Sequence, residues 1–465
     1  MTVTSSVPGR ERRFNAPFER AFYNIRTPVE AFIHQKKASG IVLFIFTTIA
    51  IIAVNSPLSE LYLQVVNVDI HYQVGTWEMK ETLQLWVSDG LMGIFFLMVG
   101  LEIKREILFG ELSSPRKAAL PVFAALGGIA FPAIIFSTLN SDAPANRGWA
   151  IPVATDIAFV IGVLALLGER IPKSFYIFLI TLAVVDDLGA IMIIAIFYAK
   201  EISFAYLAKG AVILVLLIAF NLIGIRNYLP YLAFGAFLWF AMLKSGIHAT
   251  MAGVIIAFTI PSKPKSNPFY FLQYIGELSN RIMEIKDDID KLPVPPTGEE
   301  QAIKRHSFLQ MLKNHAYLME SPLHRLHYDL TFPVAFVVMP IFAFTNAGII
   351  IDPESIGNGF SSGITLGVFF GLIVGKFFGV LLSILISVKL GIAKLPSKMT
   401  MRHALGGAFL AGMGFTMSMF IAGLAYRGMP EYLAYAKLGI LFGSLISGTL
   451  GYTFLRFTNN FKVAK

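Results

Sequence analysis

The chain reads as a succession of long apolar runs parted by short polar stretches. Within a run the apolar residues are consecutive and do not alternate with polar ones. This pattern predicts spanning α-helices and not barrel strands. A helix needs about 20 apolar residues to cross a bilayer, and on that measure the runs divide into twelve spans. They lie near Ala38–Asn55, Leu83–Leu101, Ala118–Thr138, Trp149–Leu167, Phe175–Tyr198, Phe204–Ile223, Leu229–Leu243, Gly246–Ile260, Leu330–Ile350, Ile364–Val388, Ala404–Ala425 and Leu433–Phe457. Composition agrees. Of 465 residues 55% are hydrophobic and 14% are charged, against about 25% charged in soluble domains, and mean hydropathy is +0.67. A soluble enzyme, a disordered chain and a fibrous protein are excluded. The expectation is an all-α polytopic membrane protein. Cysteine is absent, so no disulfide framework or thiolate metal site is expected.

The net charge of +9 matters through its distribution over the loops. The first 37 residues are polar and basic and are read as a cytoplasmic tail, not a signal peptide. With twelve spans both termini face one side. That side holds about 30 of the 38 Lys and Arg, among them Lys104, Arg105, Arg116, Lys117, Lys394 and Arg402. The opposite loops hold about five, including Lys80, Arg147 and Arg427. The asymmetry places both termini in the cytoplasm. Two intervals stand out. Ser56–Glu81, on the outer side, carries strand-like pieces at Leu61–Val68 and Ile70–Val74, read as a connector or as a small hairpin used in dimer contact. Pro261–Asp329 carries amphipathic stretches at Phe271–Ile289 and Gln301–Met319 around a Pro-rich Leu292–Thr297, read as a cytoplasmic insert. The short tail 458–465 closes the cytoplasmic side.

Charge inside a bilayer is costly, so its few instances point to function. Asp156 lies in the fourth span, Asp186 and Asp187 in the fifth, Lys376 in the tenth and His248 in the eighth, while Asp89 and Glu102 flank the second. Helical neighbours point about 100° apart, so Asp186 and Asp187 cannot share one partner equally. One of the two is expected to pair with Lys376 and the other to face a cavity. Two close carboxylates titrate as a coupled pair, and a carboxylate can hold either a proton or a hard monovalent cation.

Glycine and proline give a second signal. The fourth span opens Gly148-Trp-Ala-Ile-Pro and centres on Thr155-Asp156; the eleventh centres on Gly412-Met-Gly-Phe-Thr-Met. Two interrupted spans, seven positions apart in the span order, predict half-helix ends exposed at mid-depth. Asp156 would then offset the positive N-terminal ends and Lys376 the negative C-terminal ends.

These segments resemble the NhaA family of bacterial sodium/proton antiporters, which serves among the general examples of inverted-repeat transporters. The resemblance rests on Val99-Gly-Leu-Glu-Ile-Lys-Arg-Glu, Gly148-Trp-Ala-Ile-Pro-Val-Ala-Thr-Asp-Ile-Ala-Phe, Val185-Asp-Asp-Leu-Gly-Ala-Ile, Leu243-Lys-Ser-Gly-Ile-His-Ala-Thr, Phe342-Ala-Phe-Thr-Asn-Ala-Gly, Gly414-Phe-Thr-Met-Ser and Ala436-Lys-Leu-Gly-Ile-Leu. It implies inverted repeats over spans three to five and ten to twelve, with spans four and eleven broken and crossing. It implies an inner-membrane exchanger of sodium or lithium for protons, pH-regulated and often dimeric through the outer hairpin. It places ion and proton binding at Asp186 and Asp187, with Asp187 the more direct ligand of sodium. Asp156 and Thr155 would sit at the crossing, and Lys376 beside Asp186. Asp89, Glu102 and His248 match positions tied to pH response or the ion funnel; a hydrogen-bonded interior histidine is an equal reading of His248. The sequence departs from its relatives at Arg325-Leu326-His327, where many carry glutamate in place of His327, and at Thr331-Phe-Pro.

Secondary transport is thus the expected function, without a cofactor or nucleic-acid partner. There is no Walker-type loop for ATP. A sodium-coupled symporter of an organic anion would need a further polar cluster, and none is evident. An intramembrane aspartyl protease built from Asp156 and Asp187 leaves Lys376 unexplained, and a passive channel has no need of buried carboxylates.

Overall fold

The computed structural model describes residues 38–74, 77–199, 202–264, 319–351 and 353–458. The amphipathic stretches at Phe271–Ile289 and Gln301–Met319, save for Met319 itself, and both terminal tails lie outside these residues. Every predicted span coincides with helix. The order is α1 (Ala38–Val54), α2 (Ser59–Val66), β1 (Asp69–Val74), β2 (Trp77–Thr82), α3 (Leu83–Phe109), α4 (Pro115–Leu139) and a 3₁₀ segment, Ala145–Val153. Then come α5 (Ile157–Leu167), α6 (Lys173–Phe197), α7 (Phe204–Ile223), α8 (Leu229–Ser245) and α9 (Met251–Thr259). The last group is α10 (Pro322–Asn346), α11 (Pro353–Ser361), α12 (Gly363–Lys389), α13 (Met401–Ala411), α14 (Phe415–Ala425) and α15 (Pro430–Thr458). Among the described residues nine helical spans are long and apolar enough to cross a bilayer unaided. The other predicted spans are the shorter α1, α8 and α9.

Two expectations about the loops change. Leu61–Val68 is not a strand: α2 occupies it, bent 117° from α1. The reason is tertiary and has a period of four. Tyr62 and Val66 are buried on one face, and the Tyr62 hydroxyl donates to the Phe344 carbonyl at 2.7 Å. The hairpin instead runs Asp69–Val74 against Trp77–Thr82, antiparallel, with Asp69 opposite Thr82 and Val74 opposite Trp77. The ninth span also begins earlier than Leu330. Ser321 accepts the His324 N–H as an N-cap and Pro322 takes the first helical position, where a missing N–H costs nothing.

Glycine sets the distances between helices. A Cβ on Gly127 would lie 2.2 Å from the Gly379 carbonyl oxygen, and a Cβ on Gly379 equally close to that of Gly127. Helices α4 and α12 therefore touch backbone to backbone, as small residues permit in membranes. Helices α3 and α9 do the same: a Cβ on Gly253 would meet the Gly93 carbonyl at 2.3 Å. The Lys104 ammonium, predicted to be a loop charge, is in fact buried within α3 and closes this pair. It donates to the Phe258 carbonyl at 2.7 Å and the Ile260 carbonyl at 2.5 Å, at the negative C-terminal end of α9. Outward-facing positions stay apolar, as with Phe204, Val212, Leu222 and Ile223 on the peripheral α7.

Candidate functional site: a buried ionic centre at two crossing breaks

The two interruptions meet. Residues 154–156 separate the 3₁₀ segment from α5, and residues 412–414 separate α13 from α14. At the crossing the Asp156 N–H donates to the Met413 carbonyl at 2.6 Å. Contact this close excludes side chains: a Cβ on Gly414 would lie 2.6 Å from the Ala154 carbonyl, and one on Gly412 2.2 Å from that of Leu372.

Asp156 caps both half-helices. Its Oδ1 accepts the N–H groups of Ala158 and Phe159 at 3.0 and 3.2 Å, the first turn of α5. Its Oδ2 accepts the Thr416 N–H at 2.9 Å and the Thr416 hydroxyl, in the first turn of α14. One carboxylate thus meets two positive helix ends, as the sequence suggested. The negative ends are met differently from the expectation. The Ser418 hydroxyl donates to the Ile151 carbonyl and the Ser447 hydroxyl to that of Phe409, both at 2.7 Å. Neutral hydroxyls take the place assigned to Lys376.

Lys376 goes instead to Asp186. A π-turn, Gly371–Gly375, immediately precedes it; such a turn adds a residue to the helix and re-aims the side chains after it. Its Nζ lies 2.6 Å from Asp186 Oδ2, and both side chains are fully buried. The Thr155 hydroxyl lies 2.6 Å from the same carboxylate oxygen and 2.8 Å from the Ala411 carbonyl. A hydroxyl has one proton, so Thr155 donates to one of these at a time. Thr155 therefore joins the ion pair to the helix break.

Asp187, also fully buried, is the outlier. Among the described residues neither of its oxygens has a hydrogen-bond partner, and Asp186 Oδ1 has none. The charges acting on Asp187 are chiefly those of Asp186, Asp156 and Glu102, all of its own sign, with Lys376 opposing. A buried carboxylate so placed requires a proton or a cation. The unpartnered oxygens of Asp187 and Asp186 are hard donors of the kind a monovalent cation takes.

The remaining predicted residues make no hydrogen bond to this centre, though the charge of Glu102 reaches Asp187. Glu102 accepts from Arg105 at 3.4 Å, and Arg105 also reaches Glu106. His327 lies near Arg105 and His324, and its Nε2 is buried without a partner. At the hairpin end, Asp89 sits in a π-turn, Val87–Leu91, and pairs with Arg427 at 3.5 Å, as does Glu81. His248 Nε2 lies 2.7 Å from the Tyr198 carbonyl, within a cavity of about 480 Å³ that Arg147 and Arg427 also line. His248 thus has a hydrogen-bond partner in the Tyr198 carbonyl. Sequence reasoning missed Thr416, Ser418 and Ser447. The first two stand in the quoted Gly414-Phe-Thr-Met-Ser motif, but their partners are more than 250 residues away in the chain.

Crossed half-helices around a buried, partly unsatisfied ionic centre define a polytopic membrane transporter of the broken-helix class. Residues 30–455 match the sequence model of the family described as Na+/H+ antiporter 1, and the chain belongs to that family of secondary transporters, which are not enzymes. It is similar to the Na(+)/H(+) antiporter NhaA 1 of Saccharophagus degradans, at 45% identity over 442 residues, covering 94% of this chain and 93% of that one. It is also similar to the Na(+)/H(+) antiporter NhaA of Sulfurimonas denitrificans, at 44% over 445 residues, covering 95% and 98%. The Na(+)/H(+) antiporter NhaA of Helicobacter pylori is 44% identical over 426 residues, covering 91% and 94%.

Proposed function

We propose that this chain exports sodium or lithium ions in exchange for protons, and that Asp187 is the group both compete for. The observation carrying this is the contrast at the centre: Asp156 and Asp186 have partners, whereas both oxygens of Asp187 have none. A proton on Asp187 removes its charge, whereas sodium coordinated by its oxygens balances that charge, so the two ligands exclude one another. With sodium bound to Asp187 and the free oxygen of Asp186, the hold of Asp186 on Lys376 weakens, and the lysine proton becomes available. More than one proton per sodium makes exchange electrogenic, drawing about 2.3 kcal/mol per charge per 100 mV from the membrane potential. Glu102, Arg105 and His327 at one entrance, and Asp89 and His248 at the other, set the pH response.

The setting proposed is a bacterial inner membrane, with both termini and the insert at 261–321 in the cytoplasm and the β1–β2 hairpin outside, pairing two copies. Everted membrane vesicles carrying the protein test the central claim. Sodium added to acidified vesicles should release protons, and Asp187→Asn should end that release. Continued release in this variant removes Asp187 from the mechanism.

A further inference from the structure

On the flank of the molecule, between α1, α5 and α15, lies an apolar cleft of about 400 Å³, within the range of about 300–1,000 Å³ usual for small-molecule sites. Its mouth is formed by Phe44, Leu166 and Leu445, each more than half exposed and set on spanning helices, so that it opens into hydrocarbon. Its floor is formed by Met413 and Phe415, the residues either side of Gly414 at the second break.

A cleft of this kind would take bulk lipid tails alone but for Ser444. This side chain lines the cleft, is 5% exposed, and its hydroxyl has no hydrogen-bond partner among the described residues. The neighbouring hydroxyls of Thr47 and Thr449 are both satisfied, by the carbonyls of Leu43 and Leu445. Ser444 stands midway along α15, at bilayer mid-depth, where no water substitutes and an unmade hydrogen bond carries its full cost. Saturated tails leave it unmade.

We infer that the cleft is a binding site for a membrane-dissolved apolar molecule bearing one carbonyl-type acceptor, which Ser444 binds by donating its hydroxyl. Such an occupant rests on Met413, whose carbonyl receives the Asp156 N–H. It therefore wedges the crossing and slows any motion that requires the half-helices to shift. The binding claim stands apart from the exchange reading; only the slowing rests on it.

The test uses the full chain in lipid vesicles with dodecyl benzophenone, which carries one ketone and crosslinks on illumination. Peptide mapping should place the label on Phe44, Met413 or Phe415. Unlabelled diphenylmethane with the same chain, identical but for the carbonyl, should compete about threefold to tenfold less well than the ketone, the worth of one hydrogen bond. Ser444→Ala should erase that difference. Gly448→Leu, which pushes the flexible Met413 side chain into the cleft, should block labelling, with thermal unfolding as the check on its fold. Label scattered over the lipid-facing surface, or equal competition by both molecules, overturns the site. The ketone should also slow sodium-driven proton release in the parent chain, and Ser444→Ala should raise the concentration needed about threefold to tenfold. Specific labelling without slowing overturns the wedge. Absence of release without any ketone would instead count against the exchange reading and leave the labelling result standing.

Discussion

Asp156 and Asp187 are both carboxylates, both buried at bilayer depth and both close to the crossing, yet their surroundings are opposites. Asp156 spends its lone pairs on four hydrogen bonds from two helix starts. Asp187 makes none. Burial alone therefore does not mark a transport group. The mark is a buried charge whose coordination the fold leaves unfinished, beside others that it completes. On this view Asp156 holds the scaffold, Asp187 holds the cargo, and Asp186, with one oxygen on Lys376 and Thr155 and the other unmet, links them.

The sharpest break of the comparison is a single amide. Asp187→Asn should reduce sodium-driven proton release to background in everted vesicles while leaving the thermal unfolding midpoint unchanged or raised, since a neutral amide relieves an unpaired buried charge. If the midpoint instead falls as for a lost ion pair, Asp187 has a structural partner and the contrast fails.

Next in size is Lys376→Ala, which strands Asp186. Removing one member of a buried pair costs about 3–5 kcal/mol, read as a lowered unfolding midpoint. The double change Asp186→Asn with Lys376→Gln should recover much of it. Strict additivity in the double-mutant cycle would show that the two do not interact. Lys376→Arg should keep stability better than transport, because guanidinium does not give up its proton.

Asp156→Asn sharpens the scaffold side. The amide keeps one acceptor oxygen but turns two donors toward N–H groups already pointing at it. The unsatisfied groups should cost about 1–3 kcal/mol of stability, with exchange lowered but present. Abolished exchange in a protein of unchanged stability would move Asp156 from scaffold to cargo site.

The smallest expected effect lies at the entrance. His327→Glu replaces an imidazole by a carboxylate near Arg105, and these groups titrate in water near about 6.5 and 4.3 with opposite charge behaviour. The activity profile should move along the pH axis without losing its maximum. An unmoved profile would remove His327 from the pH response.

Much of this arrangement was legible in the sequence because membranes make certain residues conspicuous. Asp156, Asp186, Asp187 and Lys376 stand out where charge is expensive, and the glycines at 412 and 414 announce a break. What stayed hidden depends on distant partners. Nothing local says that Ser418 and Ser447 would serve the carbonyl ends in place of Lys376. The α2 segment, with Tyr62, Val65 and Val66, is rich enough in strand-favouring residues to pass for a strand until Tyr62 finds Phe344. Lys104, sitting among Arg105 and Glu106, looks like a loop charge, and only the end of α9 explains its burial.

That lysine has a mechanical consequence. Helix α3 is joined to α9 by backbone contact near Gly93 and by the Lys104 clamp near Phe258, so the two form a single strut, fixed at both ends. Asp89 rides near one tip of this strut and Glu102 toward the other, with His248 just ahead of α9. A strut does not bend between its fixings. Under the exchange proposed above, a change of charge that tilts it at one face of the membrane would arrive at the other as displacement, a lever running past the buried carboxylates.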